Sequence, residues 1–271
     1  MSKIEWTDET WNPVTGCTKV SPGCANCYAE RMARRLAGRY GYPEAPNHFD
    51  VTLHPDKLDQ PLRWKKPRMI FVCSMSDLFH EDVPIGYAKS VIVHAGGCKQ
   101  HTFQFLTKRP KRMLQVTREL CNHWGLEILP LNLWLGVTAE NQEQADKRIP
   151  ILLQIPAAVR FVSVEPMLGA VDLPKYLTCP DCGGSGYISD YRGSGEGCGC
   201  NAGPWLDQVI CGGETGPRAR PTKIKWIWKL LDQCVDAGVP FFYKGAGTAS
   251  VHKKYRTYRL LDGREWSEMP S

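Results

Sequence analysis

From residue 69 onward, short apolar runs take turns with amphipathic stretches, and this alternation narrows the possible folds more than any other feature. Residues 69–73, 102–106, 133–137, 160–164, 208–211 and 239–243 read as strands, and 84–94, 111–124, 140–153 and 222–237 as helices. Strands alternating with helices predict parallel βαβ units with right-handed crossovers. Six or seven strands are visible, the first of them ill-defined by its pattern. An α/β fold follows, with a full or partial (β/α) barrel and a doubly wound open sheet both compatible with the periodicity. Residues 1–16, rich in tryptophan and threonine, read as a cap. Residues 41–68 read as irregular, with a short helix near Leu58 and Leu62.

In both architectures the chemistry gathers at the C-terminal ends of the strands. Polar residues follow the apolar runs there: Ser74, Ser76 and Asp77; Thr107, Lys108 and Arg109; Thr138, Glu140 and Asn141; Glu165; Glu214 and Thr215; Lys244. The plainer reading of any one of them is a helix N-cap or a surface loop. Residues 175–204 interrupt the rhythm with a glycine- and cysteine-rich stretch. It reads as an insertion between two strands of a single domain spanning 1–271, not as a second domain.

Twelve cysteines are many for 271 residues. In a reducing compartment they point to metal ligands or buried thiols rather than disulfides. Cys17, Cys24 and Cys27 form a C-x6-C-x2-C loop, followed at once by a helical pattern that puts Tyr28, Met32 and Leu36 on one face. Three thiolates from one loop can hold three irons of a [4Fe–4S] cluster and leave the fourth iron without a protein ligand. A structural zinc wants a fourth protein ligand, and the next cysteine, Cys73, is far along the chain. A zinc or cluster knuckle with a distant fourth ligand is the rival reading. Cys179, Cys182, Cys198 and Cys200 form C-x2-C, fifteen residues, then C-x-C, which suits a four-thiolate zinc knuckle. An auxiliary iron–sulfur cluster and unligated thiols are the alternatives. Cys73, Cys98, Cys121, Cys211 and Cys234 occur singly and read as small buried hydrophobes.

The first cysteine loop resembles that of radical S-adenosylmethionine (SAM) enzymes in a variant spacing. The common form there is C-x3-C-x2-C with an aromatic residue just before the last cysteine. Here the first gap is wider, and Tyr28 follows Cys27. More closely, the chain resembles a phage-associated three-cysteine-motif family of radical-SAM-like proteins. The matching segments are Trp11-Asn12-Pro13-Val14-Thr15-Gly16-Cys17, Ser74-Met75-Ser76-Asp77-Leu78-Phe79, Leu106-Thr107-Lys108-Arg109-Pro110, Ser163-Val164-Glu165-Pro166, Gly212-Gly213-Glu214-Thr215-Gly216-Pro217 and Leu261-Asp262-Gly263-Arg264-Glu265-Trp266. They span nearly the whole chain.

The resemblance implies a barrel of radical SAM type with a Cys-rich insertion, and a [4Fe–4S] cluster on Cys17, Cys24 and Cys27. It implies SAM bound to the open iron and an external electron donor for cleavage to a 5′-deoxyadenosyl radical. By the same resemblance Ser74, Ser76 and Asp77 are expected at the SAM amino group, and Thr138, Glu140 and Asn141 at the ribose. Glu165 is expected at SAM or substrate, and Tyr28 beside the adenine. Gly212-Gly213-Glu214 repeats in letters a SAM-binding motif of that superfamily but lies at a late strand, so it reads as a tight turn or a substrate contact. The phage association implies an isomerase or transferase that modifies a nucleic acid base, for example a group carried by a thymine derivative in DNA, in the host cytoplasm.

Net charge is +6, from 34 basic and 28 acidic residues, a mild bias toward polyanions. Basic and aromatic residues recur together at Arg63-Trp64-Lys65-Lys66, Lys108-Arg109-Pro110-Lys111-Arg112, Arg218-Ala219-Arg220 and Lys253-Lys254-Tyr255-Arg256-Thr257-Tyr258-Arg259. Such groups suit nucleic acid or a nucleotide, and solvated faces explain them equally well. No apolar run approaches the roughly 20 residues of a membrane span, and the first residues carry no secretory pattern, so a cytoplasmic protein is expected. The seven histidines form no metal spacing, with His80 placed near the site or at a helix end. Two further readings stay open: a non-enzymatic zinc-stabilised nucleic-acid-binding protein, and a radical SAM enzyme acting on a peptide.

Overall fold

The strands pair in the order in which the chain makes them. The computed structural model describes residues 6–179, 182, 187–189, 195–197, 205–249, 260–261 and 263–270. The chain runs through β1 (Glu9–Trp11), β2 (Val14–Thr15), α1 (Tyr28–Leu36), β3 (Thr52–Leu53), β4 (Met69–Val72), α2 (Ile85–Gly97), β5 (Thr102–Thr107) and α3 (Pro110–Trp124). It continues with β6 (Leu133–Thr138), α4 (Gln142–Leu152), β7 (Val159–Val164), α5 (Pro174–Leu177), β8 (Tyr187–Ser189) and β9 (Gly195–Gly197). Last come β10 (Gln208–Cys211), α6 (Ile224–Asp236), β11 (Phe241–Tyr243), β12 (Leu260–Leu261) and β13 (Arg264–Glu265).

Seven strands make one parallel sheet in the order β1-β4-β5-β6-β7-β10-β11. A doubly wound sheet reverses its strand order at a switch point. This sheet has no reversal, and it curls as a half-barrel. Residues 266–268 run along the outer side of β11, with Trp266 O accepting from Tyr243 N at 2.8 Å and Glu268 N donating to Phe241 O at 3.2 Å. That segment covers part of an otherwise open edge.

All six residues of β6 are buried, as expected of a strand covered on both faces. Alternate residues serve the two faces. Leu133, Leu135 and Val137 join Phe103, Phe105, Val162 and Val164 in a core with Ile92, Met113, Leu120, Ile149 and Leu230 from the helices. Trp134, Phe161, Ile210 and Phe242 belong to a second cluster around Trp6. The Trp6 ring meets Phe71 and Phe161 edge-on at 4.8 and 5.9 Å. Each large apolar side chain so buried contributes about 1.5–3 kcal/mol. This cluster covers the sheet face opposite the first core.

Two expectations need correction. The short helix near Leu58 and Leu62 is two 3-10 turns, Pro55–Lys57 and Pro61–Arg63, each opened by a proline that fixes φ for a first turn. Residues 1–16 contain β1, whose Glu9 and Thr10 hide it from an apolar-run search. Of the second cysteine group, Cys179 is buried and Cys182 half-buried, while Cys198 and Cys200 lie outside the described residues. Among the described residues no helix is long and apolar enough to cross a membrane.

Candidate functional site

The cysteine loop begins at a residue that only glycine suits. Gly16 has φ +83°, and a Cβ there would run into the Asp50 carbonyl. Its N–H donates to Met75 O at 3.0 Å, and Cys17 N donates to Phe49 O at 3.1 Å. The loop then makes a 3-10 turn over Pro22–Cys24, and Cys27 stands at the N-cap of α1. All three cysteines are half-buried. They line one cavity of about 270 Å³ together with Asp77, Lys108, Thr138, Glu165 and Glu214 from the C-terminal ends of five strands.

Three side chains from three strand ends hold this loop. After β5, Arg109 donates through Nη1 to Cys17 Sγ at 3.5 Å and through Nη2 to Thr18 Oγ1 at 2.8 Å. Asp77 and Glu81 hold the same guanidinium at 3.3 and 2.7 Å. After β6, Glu140 accepts from Gly23 N at 3.0 Å and from Arg148 Nη1 at 2.8 Å. After β10, Glu214 accepts from Asn26 Nδ2 at 2.9 Å and is gripped by Arg220 at 2.6 and 3.0 Å. His80 adds a fourth contact, its Nε2 lying 2.7 Å from Thr18 Oγ1. Because His80 Nδ1 accepts from Asp82 N at 3.1 Å, the proton of the neutral ring is on Nε2 and is donated to Thr18.

A family described as protein of unknown function (DUF5131) matches this sequence over residues 1–270. The chain belongs to the DUF5131 family. No curated protein and no solved structure matches it.

In this DUF5131 chain the residues expected at a SAM molecule divide into two groups. Tyr28, Ser74, Ser76, Asp77, Thr138 and Glu165 line the cavity with the cysteines. Glu140 is instead fully buried beneath the loop, and Asn141 caps α4 by accepting from Gln144 N at 3.0 Å. Within the first group, several polar atoms already have partners. The Asp77 carboxylate accepts from Thr107 Oγ1 at 2.7 and 2.9 Å, from Phe79 N at 3.0 Å and from Lys108 N at 3.2 Å. Ser74 Oγ donates to Asn12 Oδ1 at 3.2 Å, and Ser76 Oγ to Val14 O at 2.8 Å. Both Glu165 oxygens take Lys244 Nζ at 2.7 Å. Gly212-Gly213-Glu214 forms no turn; the backbone after β11 packs against it so closely that a Cβ on Gly213 would collide with the Ala246 carbonyl.

Sequence reasoning missed what Arg109, Glu140 and Glu214 do. The signal was present, since each is a charged residue just after an apolar run, but no spacing announces a partner so far along the chain. Cys73, distant in sequence, comes back in space to line the same cavity.

The chemistry of the donor set decides what this DUF5131 site fits. Burial pushes the Cys17 thiol up to about 11, with Asp77 adding to the rise and Arg109 opposing it. Burial likewise pushes Cys73 up to about 12. Among the described residues no three His, Cys, Asp or Glu side chains converge as a single-ion site. In a cluster each thiolate binds its own iron, so its ligands stand further apart than those of one ion. Three thiols line one cavity, with a cation beside one of them, and thiols are the ligand type that an iron–sulfur cluster takes.

Proposed function

We propose that this protein is a radical SAM enzyme. In this reading Cys17, Cys24 and Cys27 hold a [4Fe–4S] cluster, and the adjoining cavity takes SAM and a nucleic acid base or nucleotide-type substrate. The observation that carries the reading is the shared cavity: three thiols from one loop open onto the C-terminal ends of parallel strands. When bound, the cluster would supply the electron that cleaves the sulfonium of SAM to a 5′-deoxyadenosyl radical.

The chain's own residues would bind, orient and shield. Arg109 fixes Cys17 in position. Thr138 offers a hydroxyl on the cavity wall, able to donate or accept. Phe71 and Leu106, packed against the Trp6 cluster, give the cavity an apolar wall. Tyr28 stands at the rim, 43 % exposed, with the Arg31 guanidinium 5.8 Å from its ring, a surface on which a base can stack. Exposed Arg34, Arg35 and Arg39 continue beyond it on and after α1, suited to a phosphate backbone. These features support a base in DNA, such as a modified thymine, as substrate. The basic run 253–259 lies outside the described residues.

Anaerobic reconstitution tests the reading. The expected product carries about four irons at the first site, and with dithionite it cleaves SAM to 5′-deoxyadenosine. Zinc in place of iron, with salt-sensitive DNA binding and no SAM cleavage, would establish the non-enzymatic alternative. Binding of peptide in preference to DNA would redirect the substrate class.

A further inference from the structure

One cation on the wall of the cavity, Lys108, stands without a carboxylate partner among the described residues. Three carboxylates line the cavity, Asp77, Glu165 and Glu214. Each already has a cation: Arg109 at 3.3 Å, Lys244 at 2.7 Å and Arg220 at 2.6 Å. Lys108 lines the same space and is half-buried. The polar partner of its ammonium is the Thr138 hydroxyl, 3.5 Å away. Among the described residues no carboxylate lies within ion-pair distance of it. A half-buried ammonium that faces a cavity and has no carboxylate partner is free to bind an arriving anion.

We propose that Lys108, with Thr138 beside it, is an oxyanion-binding subsite for the molecule that occupies this cavity. Position favours this assignment. Lys108 follows β5 and Thr138 ends the neighbouring β6, so both are anchored by regular strands rather than by a mobile loop. The backbone on either side of the ammonium is fixed as well, because Lys108 N donates to Asp77 and Arg109 N to Thr107 Oγ1 at 2.8 Å. With one ammonium N–H given to the hydroxyl, the pair still offers up to three donors, which suits a carboxylate or a phosphate. The oxyanion has two sources under the reading above, on which the first depends: the amino-acid carboxylate of SAM, or the phosphate of a nucleotide substrate.

Equilibrium dialysis on the reconstituted protein separates them. The probes are SAM, thymidine 5′-phosphate, and thymidine as the uncharged control. Lys108→Met keeps the length of the side chain and removes its charge; Lys108→Arg restores a charge. Lys108→Met is expected to weaken one of the two anionic probes by about tenfold or more, with Lys108→Arg recovering most of the loss. A fall confined to SAM assigns the carboxylate, and a fall confined to thymidine 5′-phosphate assigns the phosphate. Unchanged binding of both anions by Lys108→Met overturns the proposal. So does an equal loss of thymidine, or a loss of iron without a loss of either anion. A wild-type preparation that takes up zinc and no iron overturns the cluster reading alone, because the thymidine 5′-phosphate arm can still be read on it.

Discussion

Arg109 and Cys17 lie 92 positions apart in sequence and meet through one guanidinium N–H, with Nη1 3.5 Å from Sγ. The arginine is almost wholly buried, and Asp77 and Glu81 aim it. A donor beside a thiolate ligand is a lever on the metal it binds. Arg109→Gln removes the charge and leaves Asp77 without its cation. Unfolding by guanidinium chloride should show a loss of about 3 kcal/mol. In reconstituted protein the reduction potential should move in the negative direction, because a cation and donor at a cluster ligand stabilise the reduced state. Spectroelectrochemistry measures this, and an unchanged potential would make Arg109 a structural residue only.

Glu140 couples the cysteine loop to pH. Burial raises its carboxyl, but the Ser21 hydroxyl, the Arg148 guanidinium and the Gly23 N–H together hold it below its ordinary 4.5. A lowered folded value means stability that is complete above 4.5 and is lost as pH falls through the folded value. Glu140→Gln should therefore flatten this part of the acid limb of a stability–pH curve. It should also cost about 3 kcal/mol at neutral pH by stranding the buried Arg148. An acid limb identical to wild type would remove Glu140 from this account.

Gly16 sets where the cysteine loop starts. Gly16→Ala forces a Cβ against Asp50 at positive φ, with a cost of roughly 1–3 kcal/mol. The strain falls one residue before Cys17, so iron uptake should drop more than thermal stability does. Iron analysis alongside a melting curve tests this, and full iron content in a folded variant would show that the turn can relax.

Cys24 and Cys73 line the same cavity but should answer differently. Cys24→Ala should abolish stable cluster assembly and SAM cleavage. Cys73→Ala should keep its iron, because Cys73 is buried and stands outside the C-x6-C-x2-C loop, its thiol pushed up to about 12 by burial. Loss of iron in Cys73→Ala would instead make it a fourth ligand and favour a closed metal site.

Much of the scaffold could be read from the chain because largely buried strands are rich in apolar residues, and β4 to β7, β10 and β11 are, with Gln104, Arg160 and Ser163 among the interruptions. β1 could not be read, since a three-residue edge strand carrying Glu9 and Thr10 has no apolar run. Periodicity also left the sheet type open; the choice lies in strand order, which no local pattern encodes. The cysteines announced themselves by spacing. Their supports did not: Glu140 reaches Gly23 across 117 positions, and Glu214 reaches Asn26 across 188. Contacts of that range are written only in the folded topology. For Asn141 the plainer reading, a helix cap, describes what its side chain does.

The anchoring of the cysteine loop to the ends of β5, β6 and β10 has a consequence for how the protein is loaded. A zinc finger has no shape until its ion arrives. Here salt links and amide contacts mould the seat in advance, so assembly fills a mould instead of making one. Stripping the metal with a chelator should leave a chain that still melts cooperatively and can be refilled without first being refolded.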